Sequence, residues 1–174
     1  MYNFQLSGLP KIGIPAKTWS SEDVKNGLNG SLTEKDFNNS LPGVKGYKFN
    51  NANVNCTLTV ECEAAGTFDL ALLLGVKSGN QSKTGFWYQV DSTQNPLPAK
   101  DKVTVNGTDV VPPENDVDFS DCTTASDQSD NGTLMVPQWK TVCQVSLQQG
   151  ANTIVITYLA GGYSLYLCGA QLMK

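Results

Sequence analysis

From residue 47 onward, apolar and polar positions alternate with a period of two. Between Asn55 and Glu63, Cys56, Leu58, Val60 and Cys62 share one face, while threonines and Glu61 share the other. That is the pattern of a half-buried strand. After the turn Ala64-Ala65-Gly66, a second strand carries Phe68, Leu70, Leu72 and Leu74 on its apolar side. Phe86, Tyr88 and Val90 alternate with Trp87 and Gln89 in a third, which Pro96 and Pro98 bring to an end. Val103-Thr104-Val105 runs into Asn106-Gly107, a pair suited to the two positive-φ positions of a type I′ hairpin. Trp139, Thr141, Cys143, Val145 and Leu147 share one parity, and Ile154, Ile156 and Tyr158 repeat it. Residues 148–152 and Gly161-Gly162 are turns, and residues 164–173 form the last strand.

Short strands at spacings of roughly ten residues, with no long helical stripe, predict an all-β fold: an antiparallel jelly-roll β-sandwich. Its core is expected to hold Leu58, Val60, Phe68, Leu70, Leu72, Val103, Val105, Val145, Leu147, Ile154 and Ile156. Residues 46–174 form the sandwich. Residues 1–45 are weakly patterned and read as a loosely structured N-terminal extension that docks on a neighbour. Within them Ser20-Ser21-Glu22-Asp23-Val24 and Thr33-Glu34-Lys35-Asp36-Phe37 each suit the cap of a short helical turn.

Composition narrows the function classes. The 174 residues suffice for one domain with a real core. There is no histidine, and all 12 basic residues are lysine. This excludes a Ser-His-Asp triad, a Cys-His pair, His-ligated zinc and an arginine finger. A net charge of -4 argues against nucleic acid as a partner. No apolar run approaches the roughly 18 residues of a spanning helix, so membrane insertion is not expected. The 5 cysteines, Cys56, Cys62, Cys122, Cys143 and Cys168, are odd in number and lack CxxC spacing. They read as buried, reduced side chains, with Cys122 in a polar loop as the accessible one. The first residues carry no basic segment followed by an apolar stretch, so they do not read as an export signal. The expectation is a chain folded in a reducing cytoplasm and carried to a virion or surface, or a segment of a secreted multidomain protein.

Three ordered stretches carry a resemblance. The segment from Trp139 through Leu147, Gly150, Asn152 and Ile154 resembles a recurring strand–turn–strand unit of carbohydrate-binding modules of the family 6, 35 and 36 type. Val60-Glu-Cys-Glu-Ala-Ala-Gly-Thr-Phe-Asp-Leu and Val103-Thr-Val-Asn-Gly-Thr are similar to two further units in the same order. The resemblance implies a jelly-roll, galactose-binding-like sandwich that recognises a glycan without catalysis, and a calcium ion near the strand ends. Glu22 matches the family's N-terminal acidic ligand. Tyr166 stands where the last strand of the family carries aspartate.

A sugar site needs a flat aromatic ring for the C–H face of the pyranose and polar groups for its hydroxyls. Trp87, of opposite parity to Phe86 and Tyr88, is expected to face outward. Trp19, Tyr163 and Asn80, in or near loops, complete the candidate carbohydrate-binding set, whereas Trp139 is expected in the core. The long acidic loop at 111–133 carries Asp116, Asp118, Asp121, Asp127 and Asp130. Oxygen ligands converging there would take Ca²⁺, so Asp116, Asp118, Asp121 and Glu22 are the candidate metal ligands. The spacing does not match a twelve-residue calcium loop, and no pair of carboxylates marks a glycosidase.

Two readings follow: a non-catalytic carbohydrate-binding module, or a structural decoration protein of a virus (bacteriophage) particle. The second has other protein subunits as partners and would aid glycan adhesion. For the fold itself, Phe68→Ala should cost about 3–5 kcal/mol in urea unfolding; an unchanged denaturation midpoint would remove Phe68 from the core.

Overall fold

The computed structural model describes residues 15–90, 93–129 and 132–174. The strands are β1 (Pro15–Trp19), β2 (Glu34–Asp36), β3 (Lys45–Phe49), β4 (Asn55–Cys62), β5 (Gly66–Gly75), β6 (Asp101–Val105), β7 (Thr108–Asp109), β8 (Thr124–Ser129), β9 (Gly132–Met135), β10 (Gln138–Leu147), β11 (Gly150–Tyr158) and β12 (Leu165–Met173). One helix, α1 (Ser21–Gly27), follows β1. The larger sheet runs β10-β5-β12-β3-β2, with β1 also paired to β12. The smaller runs β4-β11-β6-β7, and β8 pairs with β9. All of these pairings are antiparallel. The protein is an all-β sandwich, as its alternation predicts.

The facing sides of the two sheets form the core. Leu70, Leu72 and Leu74 of β5 lie against Leu58, Val103, Ile154 and Ile156 of the smaller sheet, all buried. Phe68, Val105, Val145 and Leu147 are buried with them, and Val60 packs half-buried at the edge. Asn106 and Gly107 take φ of 49° and 83° between β6 and β7, as the Asn-Gly hairpin requires.

The N-terminal region is built into the larger sheet. β1 runs along β12 from Pro15↔Met173 to Trp19↔Ala170. Ser20 caps α1: its side chain accepts from Asp23 N, and the Asp23 carboxylate accepts from Ser20 N. Thr33–Phe37, the other candidate cap, instead becomes β2 on the edge of β3. Phe37 then folds over the outer face of the sheet, where it packs with Leu73, Leu134, Tyr166 and Cys168. Residues 1–14 of the expected extension lie outside the described residues.

Two tryptophans depart from their expected faces, each for a local reason. Residues 86–90 are not a named strand; a single bridge, Tyr88↔Ala99, is all that pairs there. The segment curls so that Phe86 and Trp87 both point inward, and Trp87 is 0% exposed. Its indole Nε1 donates to Val142 O at 2.9 Å. Trp139 is 42% exposed rather than buried. A bulge between Thr141 and Cys143 shifts the register of β10 against β5. One extra residue exchanges the faces of everything before it. Cys143, Val145 and Leu147 therefore face the core, and Trp139 and Thr141 face out. Cys122, expected to be accessible, is only 9% exposed.

Directions in the register place the connections. The turns at 63–65, 106–107 and 148–149 lie at one end of the sandwich, and the long segments 76–100, 110–137 and 159–164 leave from the other. Deleting one residue from the β10 bulge, Val142, should force Trp139 inward or break the β10–β5 ladder. The expected outcome is a loss of several kcal/mol in urea unfolding, and native stability in that variant would contradict the bulge assignment.

Candidate functional site

At the loop end, polar side chains do the work that apolar packing does between the sheets. Asp116 is the anchor of one side. Its carboxylate accepts from four backbone amides: Phe86 N at 3.0 Å, Trp87 N at 2.9 Å, Tyr88 N at 3.1 Å and Val117 N at 2.7 Å. Convergence of three consecutive N–H groups on one carboxylate is what keeps 86–88 from extending into a strand. Bonds to a charged acceptor are the stronger kind, and a carboxylate in this setting replaces a strand partner for the whole segment.

Lys100 anchors the other side. Its side chain is 1% exposed, and Nζ donates to Gly85 O at 2.8 Å and to Asp101 Oδ2 at 3.1 Å. The stem of Lys100 fills the space beside Gly162, where a Cβ would meet its Cδ at 2.8 Å. Gly161 and Gly162 both have positive φ, 71° and 68°, so this turn suits glycine on conformational as well as steric grounds. Tyr158 Oη closes the loop by donating to Gly161 O at 2.6 Å. The segments 77–90, 93–100 and 159–164 are thus tied around one lysine. Burial pushes the Asp101 carboxyl up to about 6, against the pull of the Lys100 ammonium; Asp116 pushes it further up.

This packing brings one of the expected binding residues, Tyr163, against the 77–90 loop. Tyr163 lies half-buried in the 159–164 loop, with Lys83 Nζ 5.8 Å from its ring centroid. Lys83 belongs to the single turn of 3-10 helix Gln81–Lys83 that Asn80 precedes. Gln89, whose amide donates to Ala99 O, lies against the Gly161 backbone. The rim therefore joins an aromatic ring, an ammonium and an amide side chain from two loops. Lys83 and Gln89 were not legible as partners of Tyr163, because only the folding of 77–90 around Asp116 and Lys100 brings them there.

The remaining candidates lie elsewhere. Trp87 is in the core. Trp19 is 4% exposed, its Nε1 donating to Thr59 O at 3.2 Å across the open edge between β1 and β4. A shallow cleft of about 420 Å³ runs there, lined by Lys17, Trp19, Asp23, Asn26 and Thr57 among others. Glu22 is exposed on the first turn of α1.

Among the described residues the acidic loop does not gather a cation site. Asp116 is taken up by backbone amides, Asp118 accepts from Ser120 N and Oγ, and Asp121 pairs with Lys140 Nζ. The Ser120 bonds hold the Asp118 carboxyl below its ordinary range. Among the described residues no group of three or more acidic or cysteine side chains is placed to hold a metal. Asp130 and the side chain of Asp127 lie outside them. Among the described residues, Asp116, Asp118 and Asp121 each hold separate hydrogen-bond partners and form no group placed to hold a metal ion.

Against solved structures, the chain superposes on a family 35 carbohydrate-binding module from Clostridium thermocellum with a TM-score of 0.55, at 17% identity, covering 91% of this chain and 99% of that one. The chain has the fold of a carbohydrate-binding module. A family 36 module in complex with calcium and xylotriose gives a TM-score of 0.51 at 14% identity, over 90% of this chain and 98% of that one. A ruminal endo-β-1,4-mannanase gives 0.51 at 15% identity over 92% of this chain, which spans only 26% of the enzyme. In sequence, no protein-family profile and no curated protein matches the chain. The modules of this fold are thus related to the chain by architecture, and the aromatic and polar residues of its surfaces are its own.

Two outcomes test the loop end of this carbohydrate-binding-module fold. Asp116→Ala leaves four backbone amides without their acceptor and should cost about 3 kcal/mol or more. Amide exchange should rise at 86–88 before it rises in β5. Asp101→Asn should alter the dependence of stability on pH. A carboxyl raised from 3.8 to about 6 on folding contributes stability below its unfolded value and loses it as pH rises through about 6. Wild type should therefore lose stability relative to Asp101→Asn between about pH 4 and pH 6, and the difference should level off above. Parallel curves would contradict the burial of that carboxyl.

Proposed function

We propose that this protein is a non-catalytic glycan-binding module whose long-loop rim takes the sugar. The observation that supports the reading is the meeting of Tyr163 with Lys83 at the rim, where Gln89 supplies an amide beside Gly161. A pyranose is amphipathic: its C–H face stacks on a ring and its hydroxyls pair with amides and ammonium groups. The rim offers both kinds of partner on loops held from below by Asp116 and Lys100. The solved modules of the same fold bear carbohydrate-binding names, and one of them holds xylotriose. The rim groups are suited to holding a ligand rather than to general acid–base cleavage, which needs two carboxyl groups across a glycosidic bond.

Binding of the modest strength typical of a small polar surface, with Kd between about 1 mM and about 1 μM, is the expected scale. Screening on a glycan array followed by calorimetry should give a ligand for the wild type. Tyr163→Ala should weaken it about tenfold with the urea midpoint unchanged. An array without a hit, or a hit indifferent to Tyr163→Ala and Lys83→Ala, would overturn the rim as the site.

A further inference from the structure

The inward row of β4 is covered unevenly. Cys56 and Leu58 are 0% and 2% exposed. Helix α1 lies over this half of the strand: Cys56 Sγ donates to Val24 O at 3.4 Å, and Gly27 packs closely against Thr57 O. Val60 and Cys62, next in the same row, are only half-buried. Beside them the edges of the two sheets part, and a cleft of about 440 Å³ opens between β4 and β1. Val60, Cys62, Phe68 and Leu172 give it apolar walls, and its rim carries Lys17 of β1 together with Glu61 and Glu63. Of the five cysteines Cys62 alone is half-buried; the other four are buried.

The backbone of β4 is open along the same cleft. β4 is the last strand of the smaller sheet. Asn55 O accepts from Asn29 N and Thr59 O from the Trp19 indole, both on the edge away from β11. The period of two puts the N–H and C=O of Glu61 on that edge as well. Among the described residues no strand lies beyond it. An open strand edge with apolar side chains beside it is a template for another chain, and proteins cover such edges.

The chain supplies a segment of the right character at the right place. Residues 1–14 lead into Pro15, which pairs with Met173 at the tight-turn end, next to Ala16 on the cleft wall. Tyr2, Phe4 and Leu6 alternate with Asn3, Gln5 and Ser7, the period of a strand with one apolar side. Gly8, Pro10 and Gly13 separate that run from β1 and suit a reversal of the chain. Lys11 is the one charged side chain of the segment, opposite in sign to Glu61 and Glu63. On an extended chain Phe4 and Leu6 are about 7 Å apart, the spacing of Val60 and Cys62.

We infer that residues 1–14 dock in this cleft of their own molecule, with 2–6 along the free edge of β4, Phe4 and Leu6 over Val60 and Cys62, and Lys11 beside the rim glutamates. Because the segment turns back from Pro15 at the tight-turn end, it runs parallel to β4. It completes the smaller sheet and closes its edge to other chains. The inference is independent of which surface takes a sugar.

The test uses the full chain. Alkylation by iodoacetamide, mapped by mass spectrometry, reads the exposure of Cys62, and hydrogen exchange reads the amides of 60–63. Both are measured on wild type, Phe4→Ser/Leu6→Ser and Asn3→Ser/Gln5→Ser, with exchange protection in β5 confirming that each variant is folded. Cys62 should be alkylated about tenfold faster in Phe4→Ser/Leu6→Ser than in wild type, and the amides of 60–63 should lose protection with it. Asn3→Ser/Gln5→Ser should match wild type. A second measurement needs no destabilising change: p-benzoylphenylalanine in place of Phe4 is photo-cross-linked in a mixture of heavy-isotope-labelled and unlabelled chains. Position 4 should join 60–64 or 172–174 in peptides of a single isotope. Equal alkylation and exchange in wild type and Phe4→Ser/Leu6→Ser, or cross-links to any other part of the protein, would overturn the docking. Cross-links to 60–64 of mixed isotope would assign the cleft to the segment of a second copy and overturn closure within one molecule.

Discussion

One carboxylate decides how the loop end of this sandwich is built. Asp116 takes four backbone N–H groups at 2.7–3.1 Å, three of them from consecutive residues. A strand would have sent these groups alternately to neighbours on either side. By gathering them on one point, Asp116 turns Phe86 and Trp87 together into the core and carries 77–90 toward the 159–164 loop. Lys100 completes the arrangement from below, its ammonium satisfied by Gly85 O and Asp101 and its stem filling the room that Gly162 leaves. A buried pair of this kind adds little net stability over an apolar substitute, but removing one member leaves a stranded charge. Its consequence here is positional: three long connections share one set of fixed anchors, and the side chains on their tips stand on a rigid base.

The fold was legible in the sequence because its strands are long enough to show their period. β4, β5, β10 after Cys143, and β11 each alternate over several residues, and their apolar positions are the ones that meet in the core. The Asn106-Gly107 hairpin and the Ser20 cap were legible for the same reason, since the determinant is local. The surfaces were not. Whether Trp139 faces in or out depends on a bulge residue, Val142, three positions on, and a bulge leaves the composition of a strand unchanged while reversing one part of it. Whether Trp87 faces in or out depends on a carboxylate 29 residues distant. Both errors share a cause: parity propagates along a strand only as far as the ladder is regular.

Those same irregularities shape the protein's surfaces. The bulge that breaks the alternation of β10 lifts Trp139 onto the outer face, and the curl at 86–88 brings Lys83 and Gln89 to Tyr163. The likeness to family 35 and family 36 modules concerns the layers of the sandwich, whose sequence identity is 14–17%. Among the described residues it does not extend to a grouping of Asp116, Asp118 and Asp121 around a metal ion.

The most direct test of the account is a nitrogen–proton NMR titration of the whole protein with its best glycan ligand from the array, following backbone amides and the three indole N–H signals. The account predicts shifts confined to the 80–89 and 159–164 loops, while the Trp87 indole, bonded to Val142 O, stays where it is. Shifts concentrated at the tight-turn end of the sandwich, near 63–65 and 148–149, would contradict it.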